Sequence, residues 1–165
     1  MAETTTIRDA AEGDAAAVAS LWTEAYVTLG VGGRSEPYSV AEFQSATGNG
    51  EIFVVDGERG VAGAVALFPP DTPGTVVAGP GEAELGRLAV ASWARRQGIG
   101  RALLRHCEQH GRSAGWQAIA LWSRPAQIEA HRLYESLGYQ RLPQRDSVDE
   151  AGHGRLAFRL GLARG

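Results

Sequence analysis

The sequence contains no lysine, a single cysteine (Cys107) and no long hydrophobic run. One cysteine excludes an intrachain disulfide and is typical of a reducing compartment. No apolar stretch approaches the roughly 20 residues of a membrane helix. Residues 1–4 begin neither a basic nor an apolar leader, so we expect a cytoplasmic protein without a signal peptide and without a membrane partner.

The sequence also lacks a strong excess of charge of either sign. The 16 basic and 19 acidic side chains give a formal net charge of −3, which does not predict binding to nucleic acid or to an anionic membrane. His106 and His110 lie one helical turn apart, but no third ligand is near them in sequence, so we predict no metal site. The 165 residues contain no repeat or linker and predict a single domain over 1–165.

Hydrophobic periodicity predicts an α/β chain. Strands are expected at 4–8, 52–55, 61–68, 84–90, 118–122, 139–142 and 155–160. Helices are expected from an N-terminal cap at Asp14, from Pro37 or Ser39 to about Gly48, from Gly98 to about Ser113, and from Pro125 to Leu137–Gly138. Residues 69–81 are rich in proline and glycine and predict a mobile surface loop, and 143–154 predict a polar loop.

The most specific local motif is Arg95-Arg96-Gln97-Gly98-Ile99-Gly100-Arg101, which follows an apolar strand and opens a helix. Unpaired N–H groups and the helix dipole favour an anion at such a position. The glycines allow a phosphate to approach the backbone, and the arginines add charge-assisted contacts. The motif therefore predicts a phosphate site.

Two common phosphate loops do not fit this motif. A dinucleotide loop is excluded because Leu103 stands where the third glycine belongs and the apolar residues 119–121 stand where an acidic residue is needed. A nucleoside-triphosphate loop ends in Gly-Lys-Ser/Thr, and the chain has no lysine.

Four segments together resemble the GNAT superfamily of N-acetyltransferases. Residues 95–100 match the family signature Arg/Gln-x-x-Gly-x-Gly/Ala, and 84–90 resemble the strand that precedes it. Residues 130–139 resemble the segment Ala-x-x-Leu-Tyr-x-x-x-Gly-Phe/Tyr, and 6–10 match the first strand and turn more loosely. The resemblance implies an α/β (α+β) fold with a single mixed, largely antiparallel twisted sheet, helices on both faces and a splayed central cleft.

The resemblance also implies acetyl-CoA as the co-substrate and a primary amine that attacks the thioester directly. Backbone groups of Leu88 to Val90 would pair with the pantetheine arm, as an added strand does, and N–H groups from Gln97 to Arg101 would hold the pyrophosphate. The cofactor-binding residues that it implies are Leu88, Ala89, Val90, Arg95, Arg96, Gln97, Gly98, Ile99, Gly100 and Arg101.

Two catalytic residues follow from the same resemblance. Tyr134 would protonate the departing thiolate, and Glu84 would deprotonate the amine, directly or through water. Gln127 stands where many family members carry an asparagine that touches the cofactor. A non-catalytic acyl-CoA-binding or sensing module is the alternative, since it would keep residues 95–100 and lose both catalytic groups.

The partners are less defined than the chemistry. The sequence leaves open whether the acceptor is a small-molecule amine or a protein or peptide amine. A homodimer is an expectation from the resemblance alone.

Overall fold

The computed structural model describes residues 5–30 and 33–162, and within these ranges the chain forms an eight-stranded sheet. The order is β1-β2-β3-β4-β5-β8-β6, with β7 paired to β8. Only β4 and β5 run parallel among these strands; all other pairs are antiparallel. The strands are β1 (Ile7–Asp9), β2 (Glu51–Gly57), β3 (Gly60–Phe68), β4 (Glu82–Val90), β5 (Ala118–Ser123), β6 (Gln140–Arg141), β7 (Ser147–Val148) and β8 (Gly154–Gly161).

Helices cover both faces of this sheet. They are α1 (Ala15–Thr23), α2 (Val40–Asn49), α3 (Ile99–Ala114) and α4 (Ile128–Ser136), and α1 continues into a π-helical turn over Glu24–Thr28. Both α1 and α3 pack against β3 and β4. The predicted mixed, largely antiparallel sheet with helices on both faces is confirmed. No helix in the described ranges is both long and apolar enough to cross a membrane.

The amphipathic pattern of α3 explains its position. Its buried residues include Ile99, Leu103, Leu104 and Cys107, which removes apolar surface from water. The helix lies close to β3 at Gly63, where an added Cβ would stand 2.6 Å from Cγ2 of Ile99. Burial on this face also raises the pKa of the Cys107 thiol.

One charged residue of α3 lies in the core. Glu108 is fully buried. Its carboxylate accepts hydrogen bonds from Arg105 at 2.9 Å and from the Tyr139 hydroxyl at 3.4 Å. These two partners offset the loss of water around the charge.

The starts of two helices differ from the sequence predictions. Asp14 does not cap α1 with its side chain, because its carboxylate binds Arg8 and the N–H of Ala11 instead. Helix α4 begins at Ile128 rather than at Pro125. Oε1 of Gln127 accepts hydrogen bonds from the residues 123 and 124 and holds a turn there.

Strand β4 begins two residues earlier than predicted, at Glu82. The Glu82 carboxylate is buried and binds Arg145 from the loop 143–154, Arg159 from β8 and the N–H of Gly79. Although burial opposes the charged form, these bonds lower the pKa of Glu82 to about 2. The carboxylate thus fastens the end of the loop 69–81, predicted to be mobile, to the sheet.

Candidate active site

The sheet opens between β4 and β5. These parallel strands pair only from Glu82 with Ala118 to Leu85 with Leu121. Strand β4 then continues to Val90 beside β3 alone. A cleft therefore separates the second half of β4 from β5, and the predicted central splay is confirmed.

A β-bulge bends β4 where the pairing with β5 ends. Ala64 and Ala66 of β3 lie opposite Ala89 and Gly86 of β4, so three steps along β4 match two along β3. Arg87, inside the bulge, has a φ of 54°, in the left-handed region that is unfavourable for a residue with a side chain. A bulge turns its strand and redirects the side chains beside it.

The backbone of β4 offers hydrogen-bonding groups to the cleft. The N–H of Ala91 donates to the carbonyl of Ala62 in β3, at 2.8 Å. Because backbone groups alternate in direction along a strand, those of Ala89 also point to β3, while those of Leu88 and Val90 point into the cleft. Of the three residues expected to pair with a pantetheine arm, Leu88 and Val90 thus have the suitable orientation.

One of these cleft-facing groups already has a partner. The hydroxyl of Tyr26, in the π-helical turn, donates a hydrogen bond to the carbonyl of Leu88. The contact joins the helical layer on one face to the edge of the cleft. It leaves the N–H of Leu88 and both backbone groups of Val90 facing the cleft.

The start of α3 lies next to this backbone. Arg96 and Gly98 both have positive φ, 64° and 77°, which turns the chain sharply into the helix. No side chain caps the helix at Gly98, so its first N–H groups are available to an anion. Arg95, Arg96 and Gln97 are exposed, where the two arginines add positive charge.

The two glycines of this motif have different surroundings. A Cβ at Gly98 would have no atom within 4 Å; this glycine is required by its positive φ. A Cβ at Gly100 would contact Leu133 at 3.4 Å, Val90 at 3.8 Å and Leu88 at 4.0 Å. Gly100 therefore lies directly above the cleft-facing part of β4.

Tyr134 projects from α4 toward the cleft. The residue is 6% exposed, and its ring packs against Tyr139 and Phe158, with centroids 6.0 and 5.5 Å away. Its hydroxyl forms no hydrogen bond with the residues that the structure describes. The phenol is protonated at neutral pH and can donate its proton, although burial raises the pKa of Tyr134 and makes it a weaker acid.

Glu84 lies on β4 before the bulge and is 3% exposed. Its Oε1 accepts hydrogen bonds from three successive N–H groups of the loop, residues 76, 77 and 78, at 2.8, 2.6 and 2.9 Å. Burial raises the pKa of Glu84, although these bonds act in the opposite direction. A carboxylate with a raised pKa is a stronger base than an ordinary one.

Two adjoining cavities connect these groups. The smaller, about 60 Å³, is lined by Leu88 and Tyr134. The larger, about 280 Å³, is lined by Glu84. The residues Gly86, Arg87 and Trp122 line both cavities. Tyr134 and Glu84 therefore lie on neighbouring spaces around the bulge of β4.

Comparison with known proteins agrees with this geometry. The family model described as Acetyltransferase (GNAT) family matches residues 15–139. The chain belongs to the GNAT acetyltransferase family. N-acetyltransferase 8F1 of Rattus norvegicus is 34% identical over 97 residues, which are 59% of this chain and 42% of that protein. The chain thus spans less than half of the length of this curated relative.

Solved structures share the GNAT fold over nearly the whole chain. A phosphinothricin acetyltransferase from Sinorhizobium meliloti, determined in complex with acetyl-CoA, superposes with a TM-score of 0.78 at 22% sequence identity. The match covers 99% of this chain and 91% of that protein. The ribosomal-protein-S18-alanine N-acetyltransferase of Escherichia coli has a TM-score of 0.71 and 23% identity, with 98% and 96% covered. At these identities the likeness concerns the fold.

Gln127 departs from the asparagine common at its position in GNAT proteins. Its Oε1 accepts hydrogen bonds from the Ser123 hydroxyl at 3.0 Å and from the N–H of Arg124 at 2.7 Å. The residue also lines the smaller cavity. Its carbonyl oxygen shapes the turn before α4, which leaves the amide nitrogen for other contacts.

The sequence did not predict several side chains that line the smaller cavity of this GNAT cleft, among them Tyr26, Arg87, Tyr38, Trp122 and Arg124. Tyr26 and Tyr38 come from the α1 side and lie with their ring centroids 6.3 Å apart. Only Arg87 gave a sequence signal, as a charge inside an apolar strand.

His106 and His110, the two histidines one helical turn apart, both contact residues of β2. Nε2 of His110 lies 3.1 Å from the Glu51 carboxylate, and the His106 ring packs edge-on against Phe53. Residues 5–30 and 33–162 contain no group of three histidine, cysteine or carboxylate side chains suited to a metal ion.

Proposed function

We propose that the protein is an acetyl-CoA-dependent N-acetyltransferase that moves an acetyl group to a primary amine. The observation that carries this proposal is the continuity of one cleft. The uncapped start of α3 lies above β4 at Gly100, β4 turns Leu88 and Val90 to the cleft, and the cavity beside Leu88 contains Tyr134.

The residues present fit acetyl-CoA at each position. Leu88 and Val90 offer backbone groups to the amides of a pantetheine arm. The first N–H groups of α3 suit a pyrophosphate, and exposed arginines supply the opposite charge. The proposed cofactor-binding residues remain Leu88, Ala89, Val90, Arg95, Arg96, Gln97, Gly98, Ile99, Gly100 and Arg101, with Ala89 contributing its position between the two cleft-facing residues.

Acetyl-CoA supplies the acetyl group as a thioester. Transfer forms a bond from the amine nitrogen to the acetyl carbon and breaks the bond from that carbon to sulfur. The amine gives up a proton and the sulfur gains one. We assign the first proton to Glu84, directly or through water, and the second to the hydroxyl of Tyr134.

The same two residues favour catalysis over the alternative, an acyl-CoA-binding or sensing module. A sensor needs the start of α3 but no acid or base. Glu84 and Tyr134 line adjoining cavities that share Arg87 and Trp122, an arrangement that binding of acetyl-CoA alone does not require.

The proposal also covers the domain organisation, the cellular location and the oligomeric state. We propose a single domain, a cytoplasmic location, which suits the lone buried thiol, and assembly as a homodimer. One structural relative is named for a ribosomal-protein alanine and the other for phosphinothricin. Protein and small-molecule amines are therefore both represented among relatives.

The direct test is release of coenzyme A thiol from acetyl-CoA in the presence of a panel of amines. We expect release that depends on both the protein and an amine, with the acetylated amine detected by mass spectrometry. Tight binding of acetyl-CoA without thiol release from any amine would instead support the sensing module.

The substitution Gly100→Asp tests the cofactor site. Its carboxylate would lie at the first turn of α3, where it stabilises the helix but repels the pyrophosphate. We expect the dissociation constant of acetyl-CoA, measured by calorimetry, to rise at least about tenfold, as repulsion of a few kcal/mol at short range predicts.

Gly100→Ala is the matched control for this substitution. An added Cβ meets Leu133 at an ordinary contact distance of 3.4 Å, so the alanine variant should fold and bind acetyl-CoA within about threefold of the original protein. Unchanged affinity in a folded Gly100→Asp protein would contradict the proposed cofactor site.

A further inference from the structure

The backbone at Arg87 departs from ordinary strand geometry. The bulge and the positive φ of 54° turn its side chain toward the helix side of the cleft. Its guanidinium carbon lies 5.0 Å from the Trp22 ring centroid and 5.6 Å from that of Tyr38. The residue lines both cavities, so its charge lies where the two spaces meet.

This guanidinium forms no ion pair and no hydrogen bond within the described part of the chain. It lies at cation–π distance from two rings and attracts the Glu42 carboxylate through space, but its Nη1 is buried without a hydrogen-bond partner. A buried donor that lacks a hydrogen bond is unfavourable. A strained backbone and an unpaired buried donor at one residue are typical of a site whose partner arrives with a ligand.

The acidic side chains that interact with Arg87 or share its cavity are already engaged by other groups. Glu42 receives two hydrogen bonds from Arg34, at 2.8 and 2.9 Å. Oε1 of Glu84 accepts three N–H groups of the loop. The region also contains Arg155, whose guanidinium lies 5.2 Å from the Trp122 ring centroid and whose Nε is buried without a partner. The cavities therefore favour an anionic ligand.

The size of the space restricts that ligand. The larger cavity, about 280 Å³, lies just below the range for small-molecule sites, about 300–1,000 Å³. Glu84 and Arg87 both line it, so a ligand that meets both must carry its amine and its anionic group close together. A planar guanidinium suits a carboxylate, which it binds through two parallel hydrogen bonds.

We infer that the acceptor is a small amino acid-like molecule, whose carboxylate binds Arg87 while its amine faces Glu84. This inference rests on the proposed acetyl transfer and names its substrate class. Arg87 then acts as a specificity-determining residue, which holds the acceptor by its carboxylate beside Leu88 and Tyr134.

The experiment compares matched amines: a set of free α-amino acids, the carboxamide of each, and the amine that each would give without its carboxylate. For the preferred side chain, we expect kcat/KM of the free amino acid to exceed that of its carboxamide at least tenfold. Arg87→Met should lower kcat/KM for the free amino acid at least tenfold through KM and reduce the preference for a carboxylate to less than threefold. Arg87→Lys should retain part of the preference.

Two controls separate the possible failures. Arg112→Met removes an exposed arginine of α3 and should not change the preference, and calorimetry with acetyl-CoA reports whether each variant still folds and binds. An equal loss for amino acid and carboxamide in Arg87→Met would indicate a structural role and overturn the inference, as would original protein that prefers carboxamides.

Absence of thiol release with every amine would refute the proposed transfer, and the substrate class is then decided by binding. Each amine is titrated by calorimetry into protein saturated with coenzyme A. At least tenfold tighter binding of the free amino acid than of its carboxamide, lost in Arg87→Met, supports the carboxylate site. Equal binding, or no binding of either, overturns it.

Discussion

Tyr134→Phe is expected to lower kcat by about 10²-fold, the usual scale for loss of a general acid, while the dissociation constant of acetyl-CoA stays within about twofold. The substitution keeps a buried ring that packs on Phe158 and Tyr139 and deletes only the hydroxyl. Turnover at saturating substrates and calorimetry with acetyl-CoA measure the two quantities. A fall in kcat without a change in affinity indicates an interaction made in the transition state.

Other tyrosines near the cavity make this assignment specific. Tyr26 also lines the smaller cavity, but its hydroxyl proton is already donated to the carbonyl of Leu88. The Tyr134 hydroxyl has no such acceptor among the described residues. An ordinary phenol already holds its proton over the whole neutral range, and burial raises the pKa of Tyr134 further.

Tyr139→Phe is the matched control for Tyr134→Phe. Tyr139 is buried beside Tyr134, and its hydroxyl donates to Glu108 rather than facing either cavity. We expect kcat of this variant to stay within about twofold of the original value. Equal losses in both variants would show that the Tyr134 effect comes from packing.

The features that could be predicted best from the sequence are local ones, which depend on residues adjacent in the chain. The run from Arg95 to Arg101 predicted a glycine turn that opens a helix, and the structure has Gly98 at positive φ with α3 starting at Ile99. The bounds of α3 followed from its periodicity to within about one residue. These features depend on a few consecutive side chains, and distant parts of the chain do not change them.

The features that the sequence did not predict arise from contacts between distant segments. The bulge at Arg87 follows from how β3 and β4 pair. The identities of residues 86–88 do not specify that register. Tyr26 meets Leu88 across 62 positions of sequence. Glu84 could be placed near the cleft by resemblance, but its contacts with residues 76–78 required the path of a loop that has no periodic pattern.

Glu84→Gln is expected to change the pH dependence of the reaction. A protonated amine cannot attack, so a base matters most where the amine is largely protonated. With an amine that the protein accepts, we expect kcat/KM to fall about 10²-fold at pH 6 and to approach the original value within a few-fold at pH 9, where free amine is abundant.

The raised pKa of Glu84 adds a second feature to the pH profile of the activity. Only the ionised carboxylate accepts a proton, so activity of the original protein decreases as pH falls through the pKa of Glu84. Because burial raises that pKa, the decrease begins at a higher pH than for an ordinary glutamate. Glu84→Gln has no group to titrate there, so this decrease should be missing from its profile, which then follows the amine alone.

The amide in Glu84→Gln also separates catalysis from the structural role of this residue. A glutamine oxygen can still accept the N–H groups of residues 76–78, which Oε1 of Glu84 accepts at 2.6–2.9 Å, so the loop should stay fastened. Glu84→Ala removes both the base and the acceptor, and we expect it to lower the melting temperature as well. If Glu84→Gln reduces kcat/KM by the same factor at every pH from 6 to 9, Glu84 is not the base, and its role is to hold the loop.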